Sequence, residues 1–276
     1  MKEISQAGFR PGRFSNLNAT GQTGEYVAYL EQTGSRLRAL SRARYGLLNL
    51  SAGDCVLDVG CGLGDDAREL SALVAPGGKV IAVDASEAMV EEARRRSKLF
   101  GDELQFMVGD AHELEFTDGS FAACWSERVL QHLDDPARAV YQMVRVTRPG
   151  GRVVVFEPDH STLVIDAADR ATTRTLVQAL ADAIRSSWIG RSLFGLFTAN
   201  GLVDVTIVPT PIMSHSLSDT NALLRLDATA RAAIERGLLS EQTVADWFAD
   251  LKQREASGRF FGCLLCFAAA GTKPRP

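Results

Sequence analysis

The chain of 276 residues contains only four histidines and five cysteines. The cysteines are scattered along the sequence, and only Cys263 and Cys266 have the spacing of a pair. A zinc site built on such a pair needs a second cysteine pair or a nearby histidine, and the sequence offers neither. We therefore expect no metal site. We also expect reduced thiols, which predicts a reducing, cytoplasmic location.

Long apolar runs and clusters of one charge are also missing. The longest apolar run, 260–270, is too short to cross a bilayer as a helix, and the N-terminus lacks the apolar core of a signal peptide. The formal net charge is −4. The basic run Arg94 to Arg96 predicts the solvated face of a helix that also carries acids. Neither a membrane nor a nucleic acid is therefore expected as a partner.

One stretch combines a strand pattern, a glycine loop and a helix pattern. Residues 55–59 read CVLDV, a short apolar run that is typical of a buried parallel strand. Residues 67–74 have apolar positions at helical spacing. Between the two lie glycines, which allow a ligand to approach the backbone closely: Gly60, Gly62 and Gly64. Asp65 and Asp66 at the helix start would repel a diphosphate, so the loop indicates a ligand without phosphates.

Polar residues also close the strands that follow. The second apolar strand, 79–84, ends in Asp84, 20 positions after Gly64, which is close to the spacing at which an acid binds ribose hydroxyls. The third predicted strand, 104–108, is followed by Gly109-Asp110-Ala111, and the fourth is followed by Ser126. Because the carboxyl ends of parallel strands meet at one edge of a sheet, these residues are predicted to lie close together.

Together these segments resemble the class I S-adenosylmethionine-dependent methyltransferases, especially the branch with ubiquinone/menaquinone-type and natural-product small-molecule methyltransferases. The resemblance covers roughly residues 50–210. It implies an α/β fold, with a Rossmann-like seven-stranded sheet, helices on both faces and an antiparallel last strand. The matching segments are VLDVGCGLG at 56–64, VDAS at 83–86, GDA at 109–111, VLQHLDDP at 129–136 and RPGGRVVVFEP at 148–158.

The resemblance implies S-adenosylmethionine as the cofactor, and it assigns roles to ten residues. The methionine part would be lined by Gly60, Gly62 and Gly64, with its amine near the Ser126 carbonyl and Asp58. Asp84 would accept hydrogen bonds from the ribose hydroxyls. The adenine would lie near Ala85, Met89, Asp110 and Ala111. Each of three acids also has a simpler structural alternative. Asp84 could cap the next helix, although Ser86 is better placed for that role. Asp110 could belong to a turn, and Asp58 could accept hydrogen bonds from loop amides.

The residues that would bind or activate the methyl acceptor are less strongly indicated by the sequence. His132 and His160 follow the fourth and fifth strands and are candidates for a general base or an orienting group. A structural hydrogen bond is the alternative for His132. Tyr26 is a candidate lid residue, with packing over the sheet as the alternative. Aromatic residues that would suit an apolar pocket, although each is more typical of a core, are Trp188, Phe194, Phe197, Trp247 and Phe248.

The domain organisation follows from the residues that the predicted sheet and its helices do not account for. Residues 1–50 are predicted as a flexible arm and cover helices. The cofactor-binding core is predicted at 51–211 and 259–273, with a helical insert at 160–188. Residues 212–258 are predicted as a helical lid over the substrate pocket, with one helix over 217–234. Pro209 and Pro211 are expected to stop the sixth strand.

The expected activity is methyl transfer to oxygen or carbon of a small, largely apolar metabolite, in secondary metabolism. Methyl transfer from a sulfonium mainly requires orientation and exclusion of water, without a metal or a covalent nucleophile. One alternative is a protein that binds S-adenosylmethionine and acts as a cyclase or only as a binder. Another is a nicotinamide-dependent oxidoreductase. The expected partner is a small molecule, and contact between two copies through the N-terminal arm is a further expectation.

Overall fold

The computed structural model describes residues 23–276. Within the first helix, some side chains are not described: Thr23, Glu25, Tyr26, Ser35, Arg36 and Ala39. The predicted arm at residues 1–24 thus falls almost wholly outside the described residues, and the Tyr26 side chain does too.

The described strands form one mixed sheet of eight strands, seven of them long. The count agrees with the predicted seven-stranded sheet except for one two-residue strand. The strands are β1 (Cys55–Val59), β2 (Lys79–Asp84), β3 (Leu104–Val108), β4 (Phe121–Glu127), β5 (Thr147–Pro158), β6 (Val164–Ile165), β7 (Val203–Ser214) and β8 (Gly262–Thr272).

The strand order across the sheet is β3-β2-β1-β4-β5-β8, with β6 and β7 also pairing with β8. The first five strands run parallel. The last strand, β8, runs antiparallel to β5 and to β7, as predicted. The carboxyl ends of β1 to β5 therefore open on one edge of the sheet, where open α/β sheets bind their ligands.

The strand β7 is longer than the sequence predicts. The expectation that Pro209 and Pro211 stop it is wrong, because β7 continues through both to Ser214. Pro209 lies opposite Phe267 and Pro211 lies opposite Leu265. Within the described residues β7 pairs with β8 alone, and an edge strand tolerates residues that have no amide hydrogen to donate.

Nine α-helices and three short 3₁₀ helices are described: α1 (Thr23–Arg44), α2 (Asp65–Val74), α3 (Glu87–Arg96), α4 (Pro136–Val146), α5 (Arg170–Asp182), α6 (Ile189–Ala199), α7 (Leu217–Leu224), α8 (Leu226–Glu235), α9 (Glu241–Ala256), and the 3₁₀ helices Tyr45–Leu48, Leu130–His132 and His160–Thr162. Ser86 caps α3 and Asp135 caps α4, as their residue types predict. Across residues 23–276, no helix combines the length and apolarity that a membrane span requires.

The predicted helical insert at 160–188 and the predicted lid at 212–258 both differ from the prediction. The insert after β5 begins with a 3₁₀ helix and β6, and only α5 is helical over several turns. The single helix predicted over 217–234 is two helices, because Arg225 between them has a left-handed backbone with φ of 53°. A residue in this conformation cannot continue a right-handed helix.

The core lies on both faces of the sheet. Strand residues alternate between faces, so Leu57 packs with helices α4 and α6 on one face while Val56 packs with α2 and α3 on the other. A third apolar cluster, centred on Trp247, joins α5, α7, α8 and α9 to β8. Each fully buried aliphatic or aromatic side chain contributes about 1.5–3 kcal/mol, so these layers hold the carboxyl edge of the sheet in place.

Candidate functional site

The glycine loop lies directly after β1, and its three glycines have positive φ angles: 78° at Gly60, 50° at Gly62 and 74° at Gly64. A Cβ atom at Gly60 would lie 2.2 Å from the Val129 side chain, and one at Gly64 would lie 2.6 Å from the Phe106 ring. At Gly62 the nearest such contact is 3.6 Å, to Leu30. Gly60 and Gly64 therefore allow neighbouring side chains to pack closely against the loop. Gly62 has room beside its Cα atom and lines a cavity.

This cavity has a volume of about 660 Å³, which is typical of a small-molecule site. It opens at the carboxyl edge of the sheet and is also lined by α1, β7 and α7. The predicted site residues that line it are Gly60, Gly62, Asp84, Ala85, Met89, Asp110, Ala111, His132 and His160. Three predicted residues are not among its lining residues: Asp58, Gly64 and Ser126.

Asp84 connects the glycine loop to α3. Its Oδ2 atom accepts a hydrogen bond of 2.9 Å from the Gly62 amide, and its Oδ1 atom accepts one of 2.9 Å from the Ser86 amide. Burial raises the pKa of Asp84, while these two amides oppose the rise. The carboxylate has further acceptor capacity for a ligand, because each oxygen has two lone pairs.

Asp110 lies at the far end of the cavity, after β3. Its Oδ1 atom accepts a hydrogen bond of 2.8 Å from the His112 amide and lies 2.7 Å from the His112 ring nitrogen Nδ1. Burial acts to raise the pKa of Asp110, but the amide and ring of His112 outweigh it, so the pKa is lowered. Asp110 therefore stays ionised at neutral pH as a hydrogen-bond acceptor.

Asp58 and Ser126 lie behind the glycine loop. Ser126 is fully buried and donates a hydrogen bond of 3.0 Å from Oγ to the carbonyl of Val59, which joins β4 to β1. Asp58 is buried, and its Oδ2 atom has no hydrogen-bond partner among residues 23–276. Burial first, then the charges of Asp66, Asp84 and Glu127, raise the pKa of Asp58 well above its ordinary value.

Sequence reasoning missed a buried polar cluster beside the loop. Asp66 accepts hydrogen bonds from the Tyr45 hydroxyl at 2.6 Å and from the Trp125 ring nitrogen at 3.1 Å. Next to it, the Glu127 carboxylate lies 3.7 Å from the guanidinium of Arg44, and both side chains are about 5% exposed or less. Asp66 and Glu127 both line the cavity. No sequence spacing links residues 44, 66 and 127, so only the fold brings them together.

A buried acid holds the turn that carries His132. Glu157, at the end of β5, accepts hydrogen bonds from the amides of Val129 at 2.8 Å and Leu130 at 2.6 Å. Burial raises the pKa of Glu157 to about 8, although the amides of Leu130, Val129 and Gln131 act against the rise.

Both candidate histidines are neutral at physiological pH. Burial, with smaller effects of His160 and Arg128, lowers the pKa of His132 to about 3. Burial lowers the pKa of His160 to about 4. The His160 Nε2 atom lies 2.8 Å from the amide oxygen of Gln131, so this nitrogen carries the proton in that contact. Its Nδ1 atom, a lone-pair acceptor, has no hydrogen-bond partner within the described range.

Comparison with known proteins gives this site a family. The methyltransferase domain family matches residues 57–155, which run from β1 to β5 and contain the glycine loop and Asp84. The chain belongs to the S-adenosylmethionine-dependent methyltransferases. The predicted family, fold class and cofactor are thereby confirmed.

Three relatives show how far the similarity extends. The chain is 35% identical to an uncharacterised 37.1 kDa protein in transposon TN4556 of Streptomyces fradiae, over 87% of this chain and 69% of that protein. It is 39% identical to demethylmenaquinone methyltransferase of Lactococcus lactis, over 46% of this chain and 50% of that enzyme. It is 36% identical to 27-O-demethylrifamycin SV methyltransferase of Amycolatopsis mediterranei, over 46% of each chain. The match thus spans about half the length of the two named enzymes.

Among solved structures, phosphoethanolamine N-methyltransferase 2 of Haemonchus contortus in complex with S-adenosyl-L-methionine has the same fold. The TM-score is 0.60 at 18% identity, over 99% of this chain and 62% of that one. The cavity of the present chain fits the cofactor on its own geometry. Asp84, a half-buried acid with further acceptor capacity, holds the amide of Gly62, and the buried Met89 lines the same cavity.

Proposed function

We propose that this methyltransferase transfers a methyl group from S-adenosylmethionine to an oxygen or carbon atom of a small, largely apolar metabolite. The observation that carries the proposal is the composition of one cavity. It has hydrogen-bonding groups for a nucleoside at one end and a mainly aliphatic wall at the other. Both sets of residues line the same cavity, as an in-line transfer between two bound molecules requires.

The donor end contains the residues that would hold the cofactor. Asp84 would accept hydrogen bonds from the ribose hydroxyls, and Ala85 and Met89 would pack against the adenine. Asp110 would accept a hydrogen bond from the adenine amino group, beside Ala111. S-adenosylmethionine supplies the methyl group on a sulfonium, which is a good leaving group. The chain has to orient the two reactants and exclude water.

The methionine part of the cofactor would lie on the glycine loop, Gly60 to Gly64. Gly62 presents its open side there, while Gly64 supports the loop by packing. Asp58 and Ser126 would act from behind this loop, through its amides or through a backbone carbonyl. The positively charged amine of methionine suits this region, because acidic residues line the cavity near the loop, among them Asp66, Asp84 and Glu127.

The acceptor end has an aliphatic wall from the insert, the helix α7 and the strands β7 and β8. Its apolar lining residues are Leu180, Ile184, Ile212, Leu223, Leu224 and Leu264. None of the five aromatic residues considered above lines the cavity, and Phe197 and Trp247 are core residues. Two relatives are named as methyltransferases of small molecules, demethylmenaquinone and 27-O-demethylrifamycin SV. We therefore propose that the regions 160–188 and 212–258 form the acceptor pocket and its lid.

We propose that His132 and His160 orient the acceptor as neutral rings. Both line the cavity, and Nδ1 of His160 is available to accept a hydrogen bond. Imidazoles with pKa values of about 3 and 4 bind protons weakly, so hydrogen bonding suits them better than proton removal. A lid role for Tyr26 is proposed from the sequence alone.

We place the reaction in a reducing, cytoplasmic compartment, because all five cysteines are free thiols. Nucleic acid is not proposed as a substrate, since the net charge is −4. Contact between two copies through the N-terminal arm concerns residues outside the described range, and it is not part of this proposal.

Incubation of the purified protein with methyl-labelled S-adenosylmethionine and a metabolite extract tests the function. We expect label in an organic-extractable small molecule, and no label with Asp84→Ala. Binding of S-adenosylhomocysteine without transfer to any extract would support a binding or cyclase role instead. Micromolar affinity for NAD, measured by calorimetry, would contradict the proposal.

A further inference from the structure

Arg128 occupies a special backbone position at the acceptor end of the cavity. It follows the last residue of β4, and its φ angle is 58°, in the left-handed region. Its amide donates a hydrogen bond of 2.8 Å to the carbonyl of Phe156 on β5. Such a conformation costs a non-glycine residue about 1 kcal/mol or more and persists only where the surroundings impose it. Here it places the arginine side chain at the cavity wall.

The positive charge of Arg128 is only partly compensated. Its Nε atom lies 3.4 Å from the Glu127 carboxylate, and this nitrogen has no hydrogen-bond partner within residues 23–276. The same carboxylate also faces Arg44 at 3.7 Å. Burial, followed by Asp66, raises the pKa of Glu127 to about 7, although Arg128, Ser41 and Arg44 act against the rise. Two guanidinium groups thus share one carboxylate.

Four further titratable groups around Arg128 favour their uncharged forms at neutral pH. His132 and Tyr29 line the cavity with it, the first with a pKa of about 3 and the second with a pKa raised by burial. Burial raises the pKa of the Cys266 thiol to about 12. It also raises the pKa of Glu157 to about 8. The acceptor end therefore combines an aliphatic wall with a guanidinium that shares its one close carboxylate, Glu127, with Arg44.

A cation in this position favours an anion. On the basis of the methyl-transfer function proposed above, we propose that Arg128 selects acceptors whose reacting group is an acidic hydroxyl, a phenol or an enol, and holds that group as its oxyanion. The aliphatic wall accommodates the rest of the molecule. Arg128 is then a specificity-determining residue that contacts the reacting oxygen.

The reaction balances without a protein base. The hydroxyl loses its proton to solvent, and the oxyanion is stabilised by the guanidinium. The oxygen then forms a bond to the methyl carbon while the carbon–sulfur bond breaks, and that electron pair stays on sulfur. The products are an aryl or enol ether and S-adenosylhomocysteine. An aliphatic alcohol does not fit this scheme, because it ionises too weakly and the two histidines are weak bases.

Ionisation of a bound phenol can be observed without catalysis. The probes are 4-nitrophenol and 7-hydroxycoumarin, whose absorbance changes when the hydroxyl ionises. Each is titrated with pH in the presence of the wild-type protein saturated with S-adenosylhomocysteine. We expect the pKa of the bound probe to lie about one unit or more below that of the free probe.

Variants assign the effect to Arg128. Arg128→Gln should abolish the pKa shift of the probe, and Arg128→Lys should retain most of it. The matched control is Arg95→Gln, since the Arg95 side chain is 64% exposed and pairs with Glu92 on α3. The control should shift the probe as the wild type does. Calorimetry with S-adenosylhomocysteine shows whether each variant keeps the donor site.

The outcomes separate this inference from the proposed function. If the wild type binds S-adenosylhomocysteine but leaves the pKa of both probes unchanged, with or without probe binding, the acidic-hydroxyl assignment is wrong and methyl transfer stands. A shift of equal size in wild type and Arg128→Gln would also overturn the assignment. Failure of the wild type to bind S-adenosylhomocysteine would overturn both.

Discussion

The carboxylate of Asp84 holds the amide of Gly62 at 2.9 Å, across 22 residues of sequence. Its other oxygen holds the amide of Ser86, at the start of α3. One acid therefore fixes the glycine loop relative to the second strand and its helix before any ligand binds. At the proposed cofactor site, this preorganisation would lower the entropy cost of binding, because the two segments are already in place.

Replacing Asp84 with alanine should weaken the binding of S-adenosylhomocysteine by about tenfold to a hundredfold. The change removes the acceptor for the ribose and also releases the Gly62 amide. Hydrogen bonds to charged groups contribute about 1.5–3 kcal/mol, and each 1.4 kcal/mol is about tenfold in affinity. Calorimetric titration measures the change. Asp118→Ala, at a side chain that is 78% exposed, should bind like the wild type. Equal affinities for all three proteins would remove the role of Asp84.

Gly64→Ala should destabilise the protein by roughly 1–3 kcal/mol. The added methyl group would lie 2.6 Å from the Phe106 ring, at a φ angle of 74° that alanine rarely adopts. Urea denaturation measures the free energy of unfolding. Gly195→Ala in α6 is the matched control, because no atom lies within 4 Å of the added group and a helical alanine is favourable. Equal effects at the two positions would refute the packing role of Gly64.

The buried histidines should make the protein less stable in acid. The folded-state pKa values of His132 and His160, about 3 and 4, lie below the unfolded value of 6.5, so the unfolded state binds more protons between these values. Their contribution is fully present above pH 6.5 and is lost as the pH falls toward 3. Between pH 7 and pH 4, each histidine should lower the free energy of unfolding by about 3 kcal/mol. The raised pKa values of Glu127 and Glu157 act in the opposite direction over this range, so the histidine contribution is measured by urea denaturation as the difference between the wild type and each histidine variant.

The variants His132→Gln and His160→Gln provide the test of that pH dependence. Each should flatten the dependence of the unfolding free energy on pH below 6.5, since one of the two groups no longer takes up a proton on unfolding. A slope identical to the wild type in both variants would show that the histidines are not buried in neutral form.

Tyr29→Phe should loosen the cover of the cavity without unfolding the protein. The Tyr29 hydroxyl donates a hydrogen bond of 3.3 Å to the carbonyl of Leu223, which joins α1 to α7. Amide hydrogen exchange in α7 should become several-fold faster, because a net hydrogen bond is worth about 1 kcal/mol. Tyr141→Phe is the control, since Tyr141 is 55% exposed. Unchanged exchange in α7 would mean that this contact does not restrain the lid.

The donor half of the site could be predicted from the sequence because it is local. The loop glycines follow one strand, and Asp84 ends the next, so the strand order alone brings them together. The residue type predicted the Ser86 cap, and the family resemblance implied the antiparallel last strand. The path of β7 could not be predicted from its prolines, because their tolerance depends on β7 having a partner on only one side.

The acceptor half depends on contacts that sequence patterns do not contain. Arg44 and Glu127 are far apart in the chain and become partners only when both are buried. The left-handed backbone of Arg128 could not be predicted, since an arginine in this conformation has no characteristic neighbours in sequence. The break at Arg225 was missed for the same reason, since neither glycine nor proline marks it. These positions are set by tertiary packing, which overrides local preference.

A crystal structure of the protein with S-adenosylhomocysteine would show where the cofactor binds. We expect the nucleoside at the carboxyl edge of the sheet, with both ribose hydroxyls within hydrogen-bonding distance of Asp84 and the amino-acid part on Gly60 to Gly62. A ligand bound elsewhere, or a ribose that does not contact Asp84, would contradict this expectation.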